Sequence, residues 1–212
     1  LPPNLSAPII AWKDSANIAI ASFKRGFTTL RQRSIDGTSQ DKIFLRNITQ
    51  ILSLDFNDSG RNMVLSAISN GRTDIYTLNV RGQGKRLTND IFDDLTPVFL
   101  NDSTIVYSTN FTELPDSVLT ATPDIKVLPT QFNLYMAQVL KDTTTFTKMT
   151  NANSKNLMPR KLNSNSLLYL SDLSGITNIM RHSIGNQISS QISAFDKSVE
   201  VFDVTNRMNK IA

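Results

Sequence analysis

Apolar and polar residues alternate along this chain in short runs, and clusters of Asn, Asp, Ser or Gly punctuate them. Asn17-Ile18-Ala19-Ile20-Ala21-Ser22, Asn62-Met63-Val64-Leu65-Ser66-Ala67, Thr104-Ile105-Val106-Tyr107-Ser108 and Leu167-Leu168-Tyr169-Leu170-Ser171 all favour strands. Each follows a polar cluster: Trp12-Lys13-Asp14-Ser15, Phe56-Asn57-Asp58-Ser59-Gly60, Phe99-Leu100-Asn101-Asp102-Ser103 and Leu162-Asn163-Ser164-Asn165-Ser166, the last without the Asp. These residue types tolerate turn geometry, so every copy predicts strand, tight turn, strand.

A third predicted strand follows in each copy. Leu30, Ile75, Leu134 and Ile179 occupy equivalent positions in it, 45, 59 and 45 residues apart. That is the spacing of a propeller blade, about 40–45 residues, with one insertion. Turn signals at Gly37, Gly82-Gln83-Gly84 and Gly185-Asn186 then lead to a short fourth strand such as Lys85-Arg86-Leu87-Thr88 or Phe146-Thr147-Lys148-Met149-Thr150. Four strands per unit predict an all-β protein, a β-propeller of four-stranded antiparallel blades, with about four to five blades in one partial propeller domain. The expected blades are 5–50, 51–94, 95–155 with an insertion at 111–131, and 156–199, with 200–212 opening the next.

The run from Phe56 to Pro97 resembles the Asp-Gly (PD40, WD40-like) β-propeller repeat of TolB and its relatives. The residues that carry the likeness are Asn57-Asp58-Ser59-Gly60, Asp74-Ile75-Tyr76, Arg86-Leu87-Thr88 and Asp94-Leu95-Thr96-Pro97. The next copy keeps Phe99, Asp102, Tyr135 and Thr150, and the likeness covers roughly residues 5–199. It implies a noncatalytic scaffold of the bacterial periplasm or cell envelope that binds protein partners. TolB-like blades also occur in peptidases of the prolyl-oligopeptidase, tricorn and zinc types, so the alternative is a propeller domain that filters or orients substrate for a larger enzyme. TolB-like propellers usually carry six or seven blades; this chain is therefore expected to be a fragment of a larger envelope protein, the remaining blades coming from the rest of it.

Composition narrows the partners. The net charge is +4, from 22 basic and 18 acidic side chains, and Lys24-Arg25, Arg31, Arg33, Lys85-Arg86 and Arg160-Lys161 are scattered, so no nucleic-acid partner is expected. Apolar stretches such as Ala7–Trp12 are far too short to span a bilayer. The chain starts at Leu1-Pro2-Pro3, so any targeting signal is expected to have been removed or to lie upstream. Without cysteine there are no disulfides or thiolate metal sites.

No Gly-x-Ser-x-Gly elbow and no second histidine accompany His182, which sits in a strand pattern between Met180 and Ile184. Asp55-Phe56-Asn57-Asp58-Ser59-Gly60 matches the first half of a calcium loop, but Ser66 stands where a bidentate Glu is needed. Gly82-Gln83-Gly84 reads as a turn and not as a phosphate cradle. Asp93-Asp94 cannot act as an acid/base pair if both lie on a strand, because neighbours there point to opposite faces. Trp12, Phe56 and Phe99 recur once per copy and are expected to pack between sheets. The chain is thus expected to carry no catalytic residue, cofactor or metal. The one irregular feature is the acidic, Pro-punctuated insertion, whose Glu113, Asp116 and Asp124 are the candidate partner-binding residues.

Overall fold

In a computed structural model, residues 8–24, 27–112, 128–151, 153–205 and 210–211 are described. Four antiparallel sheets follow one another along the chain, each with its strands in sequence order. The first holds β1 (Ile9–Trp12), β2 (Asn17–Lys24), β3 (Phe27–Ser34) and β4 (Ser39–Leu45); the second β5 (Gln50–Phe56), β6 (Asn62–Ser69), β7 (Arg72–Asn79) and β8 (Gly84–Arg86). The third holds β9 (Asp94–Asn101), β10 (Thr104–Thr109), β11 (Asn133–Val139) and β12 (Thr144–Lys148); the fourth β13 (Asn156–Asn163), β14 (Ser166–Ser171), β15 (Asn178–Ser183) and β16 (Ile188–Gln191). A two-stranded ribbon, β17 (Val204–Thr205) and β18 (Lys210–Ile211), comes last. The first strands stand side by side, β1 against β5, β5 against β9, β9 against β13 and β13 against β17.

Period-two alternation explains the stacking. On β6, Met63, Leu65 and Ala67 face the first sheet, joining Ala19, Ala21 and Leu30, while Val64 turns the other way to meet Phe99, Ile105 and Tyr107 of the third. On β14, Leu167 and Tyr169 join Val98, Val106 and Leu134, and Leu168 and Leu170 lie under Phe202. Middle strands are thus buried on both faces, as in a sandwich interior.

The turns show which polar residues hold the hairpins. Asp14 Oδ1 accepts from the Ala16 amide at 2.9 Å, but in the later copies the residue that does this is Asn: Asn57 Oδ1 from Asn62, Asn101 Oδ1 from Ser103, Asn163 Oδ1 from Asn165, at 2.9–3.0 Å. Asp58 and Asp102 are thereby released for contacts between sheets. Asn70 and Gly71, both at positive φ, form the two-residue turn between β6 and β7. Gly84 allows close pairing of β8, since a Cβ there would strike the Thr77 backbone.

A hydroxyl latch closes three sheets. The amides of Ile75, Leu134 and Ile179 donate to Thr88 Oγ1, Thr150 Oγ1 and Ser193 Oγ at 2.8–2.9 Å, and their carbonyls accept from Leu87, Met149 and Ile192. One expectation fails: Phe56 and Phe99 are buried, but Trp12 is 63% exposed, because no described sheet lies against its face of β1.

Several titratable groups are buried, among them Asp94 and His182. Asp94 is buried, and desolvation lifts its carboxyl to about 7; the charges of Asp90 and Asp74 add to this, and hydrogen bonds from Thr109 and Thr88 oppose it. Its neighbour Asp93 is exposed. Asp74 pairs with Arg86. His182 is fully buried with Nδ1 2.9 Å from Ser189 Oγ; burial depresses its pKa, and Nε2 has no partner among the described residues.

Packing predicts that Leu30→Ala costs about 2–5 kcal/mol in denaturant melts, whereas Ile188→Ala, at an exposed position on β16, stays within about 0.5 kcal/mol. The pH dependence has a definite sign. Asp94 binds its proton more tightly folded than unfolded, so its contribution is full below about pH 4 and is lost as pH rises through about 7. His182 acts oppositely, its contribution being full above its unfolded pKa of about 6.5 and lost on acidification. The difference in melting temperature between wild type and Asp94→Asn should therefore shift in favour of the variant between pH 5 and pH 8; parallel curves would show that the folded Asp94 carboxyl is already ionised at pH 5.

Candidate functional site: the central channel

The first strand of every sheet runs along one side of a cavity of about 770 Å³, which is lined from β1, β5, β9, β13 and β17. Its mouth is formed by the turns that follow β1 and β5, Lys13-Asp14-Ser15 and Asn57-Asp58, and its walls carry Leu54, Pro97, Val98 and Val204. Repetition places it there: one inner strand per copy, set side by side, leaves a channel that no single copy contains.

The inner strands are not regular. Register shifts occur between Ile51 and Ser53 on β5, opposite Val106 and Ser108 on β9, and between Leu157 and Arg160 on β13. Thr96 and Met158, each just before a proline, have φ of 47° and 55°. Such values are rare for a β-branched residue, and the residue before proline normally stays extended. These kinks turn the strands along the channel wall, and the hydroxyls of Ser53 and Thr96 there have no partner among the described residues.

The charges of the channel sit in distinct settings. Asp55, half-buried, accepts from the Phe99 amide at 2.9 Å; desolvation raises its carboxyl to about 6, against the pull of that bond and of Arg160 and Lys161. Lys161 Nζ reaches both oxygens of Asp58, at 2.7 and 3.0 Å, and so ties the fourth sheet to the second. Arg160 Nε lies 3.4 Å from Asp203, and its Nη1 donates to the Pro159 carbonyl at 3.1 Å. At the mouth, Asn57 Nδ2 donates to Asp102 at 2.6 Å, linking the second and third sheets. Ile10 and Trp12, 61% and 63% exposed, present apolar surface to the same cavity.

Local pattern missed this site. Asp14, Asp58 and Arg160 are separate features of the sequence, and the one signal that could have joined them is the equivalence of the inner strands. The candidate residues of the insertion, Glu113, Asp116 and Asp124, lie outside the described residues. Its two ends are placed, however: Asn110 Nδ2 donates to the Pro129 carbonyl at 3.0 Å, and Phe111 packs edge-on to Phe92 and Tyr135. Because β9 runs from Asp94, paired with Thr109, towards the Asn101 turn, the insertion leaves at the opposite end of the sheet from the channel mouth.

No protein-family model matches this sequence, and no curated protein matches it. Solved structures do. TolB from Acinetobacter baumannii superposes with a TM-score of 0.62 at 17% identity, over 90% of this chain and 44% of that one. A TolB-type protein from Agrobacterium tumefaciens gives 0.63 at 16% identity, over 91% and 63%. Prolyl oligopeptidase B from Galerina marginata gives 0.61 at 13% identity, over 95% and 28%. The chain therefore spans less than two thirds of the length of each. What these matches and the four successive antiparallel sheets establish is a β-propeller fold, shared with TolB and with peptidase propellers.

Proposed function

We propose that this chain is a noncatalytic β-propeller, a protein-interaction scaffold of the bacterial cell envelope that receives its partner in the central channel. The observation that carries the reading is the channel itself, walled by the inner strand of every sheet and offering exposed Ile10 and Trp12 beside polar groups. A rigid frame with exposed apolar anchors and a polar rim is the usual anatomy of a protein-binding surface. The likeness to TolB supports the envelope setting. No helix among the described residues is long and apolar enough to cross a membrane. The insertion with Glu113, Asp116 and Asp124 is proposed as a second contact surface.

The other reading, a propeller domain that orients substrate for a peptidase, is favoured by the likeness to prolyl oligopeptidase B. Within the described residues, His182 meets Ser189 but is fully buried, and no carboxylate is among its hydrogen-bond partners, so that pair belongs to packing.

A photo-crosslinking residue in place of Ile10, carried in the native gene product in its own cells, is expected to capture one protein of defined mass. The same residue in place of Ile188, on the outer edge strand, should capture none. Equal capture at both positions, or none at either, removes the channel as the partner-binding face. The mass and terminal sequences of the native product separate the two readings, since an attached hydrolase module with a Gly-x-Ser-x-Gly or His-Glu-x-x-His motif establishes the peptidase.

A further inference from the structure

The charge at the channel mouth runs against that of the whole molecule. The chain is +4, yet the channel gathers Asp14, Asp55, Asp58 and Asp203 against Lys13, Arg160 and Lys161. Exposure sharpens the contrast. Asp14, Asp58 and Asp203 are exposed, while all three cations are half-buried. Lys161 is committed to Asp58. Asp203 Oδ1 accepts from the Val204 amide at 2.9 Å and lies 3.4 Å from Arg160 Nε, while its Oδ2 has no donor among the described residues and the side chain is 75% exposed. Among the described residues, Asp14 accepts only from donors of its own turn, Ala16 and Asn17. An approaching group therefore meets carboxylates first.

The same cavity is lined by Trp12, the chain's single tryptophan. It is held on a strand paired to β2 through Ile18 and is open to the cavity. An indole and exposed carboxylates lining one cavity are the combination that holds a guanidinium or ammonium group: the ring attracts the cation and the carboxylates accept from its N–H donors.

Resting on the channel reading above, we infer that the partner segment is a basic, extended peptide, whose Arg or Lys side chain is held between Trp12 and the carboxylates of Asp14 and Asp203. Arg160 and Lys161 set the selectivity from behind. They pair with Asp203 and Asp58 when the channel is empty, and they repel a cation that goes deeper than the rim.

The test uses Trp12 emission of the full chain during titration with Ac-Gly-Arg-Ala-Arg-Ala-Gly-NH2, the same peptide with citrulline for arginine, and the same with glutamate. The arginine peptide should shift the emission saturably, and the citrulline peptide should bind at least about tenfold more weakly, the loss expected for one charge-assisted contact. Asp203→Asn and Asp14→Asn change exposed positions and keep an acceptor oxygen, so the fold is retained. Each should weaken the arginine peptide several-fold, leave the citrulline peptide unchanged and flatten the salt dependence. Equal binding of the arginine and citrulline peptides, or tighter binding of the glutamate peptide, overturns the inference while leaving the channel as a peptide site. If no peptide alters Trp12 emission but the crosslinker at position 10 still captures a protein, the basic-peptide inference alone falls; if both fail, the channel reading falls with it.

Discussion

The middle strands β6, β10 and β14 of the second, third and fourth sheets are apolar on both faces, and that is the constraint from which the architecture follows. A sheet with two apolar faces cannot stand alone in water; it needs a neighbour on each side. β6 shows the consequence, sending Met63 and Leu65 into one interface and Val64 into the next. Stacking of this kind continues from sheet to sheet, and Phe202 covers the last four-stranded one. Because the strands of each sheet lie in sequence order, stacking also brings the first strands together. The channel is a by-product of that geometry: it lies where the inner strands of successive sheets come together.

The fold was largely legible in the sequence because its signals are local and repeated. Alternation marks strands, Asn-rich clusters mark hairpins, and the equivalence of Leu30, Ile75, Leu134 and Ile179 holds in three dimensions. The last three of these bond in the same way to a following hydroxyl, Thr88, Thr150 or Ser193. Ser193 had no counterpart in the repeat pattern, since hydroxyl side chains of different residue types perform one task. The turn acids were harder to read. Their regular recurrence pointed to hairpin formation, but from the second copy onward a neighbouring Asn does that work, and Asp58 and Asp102 instead join one sheet to another.

The candidate site was not legible for a different reason. Asp58 and Lys161 are 103 residues apart and meet only because the second and fourth sheets face across the channel. Trp12 looks equivalent to Phe56 and Phe99 by pattern, and differs because its environment depends on a neighbouring sheet and not on its own strand. Overall charge misled in the same way. A basic composition describes the summed surface, whereas a concave region is governed by the few groups pointing into it.

The hydroxyl latch also bears on how the molecule opens. An edge strand such as β16, exposed along its whole length, is held by its pairing to β15, while the segment behind it is pinned at Ile179 by Ser193 and Ile192. Fraying that begins at the rim therefore stops at the latch, and passing it requires breaking a backbone bond and a side-chain bond together. Each sheet so fastened behaves as a cooperative unit with a soft outer margin and a slowly exchanging interior, and the amides along the channel wall belong to the part that opens last.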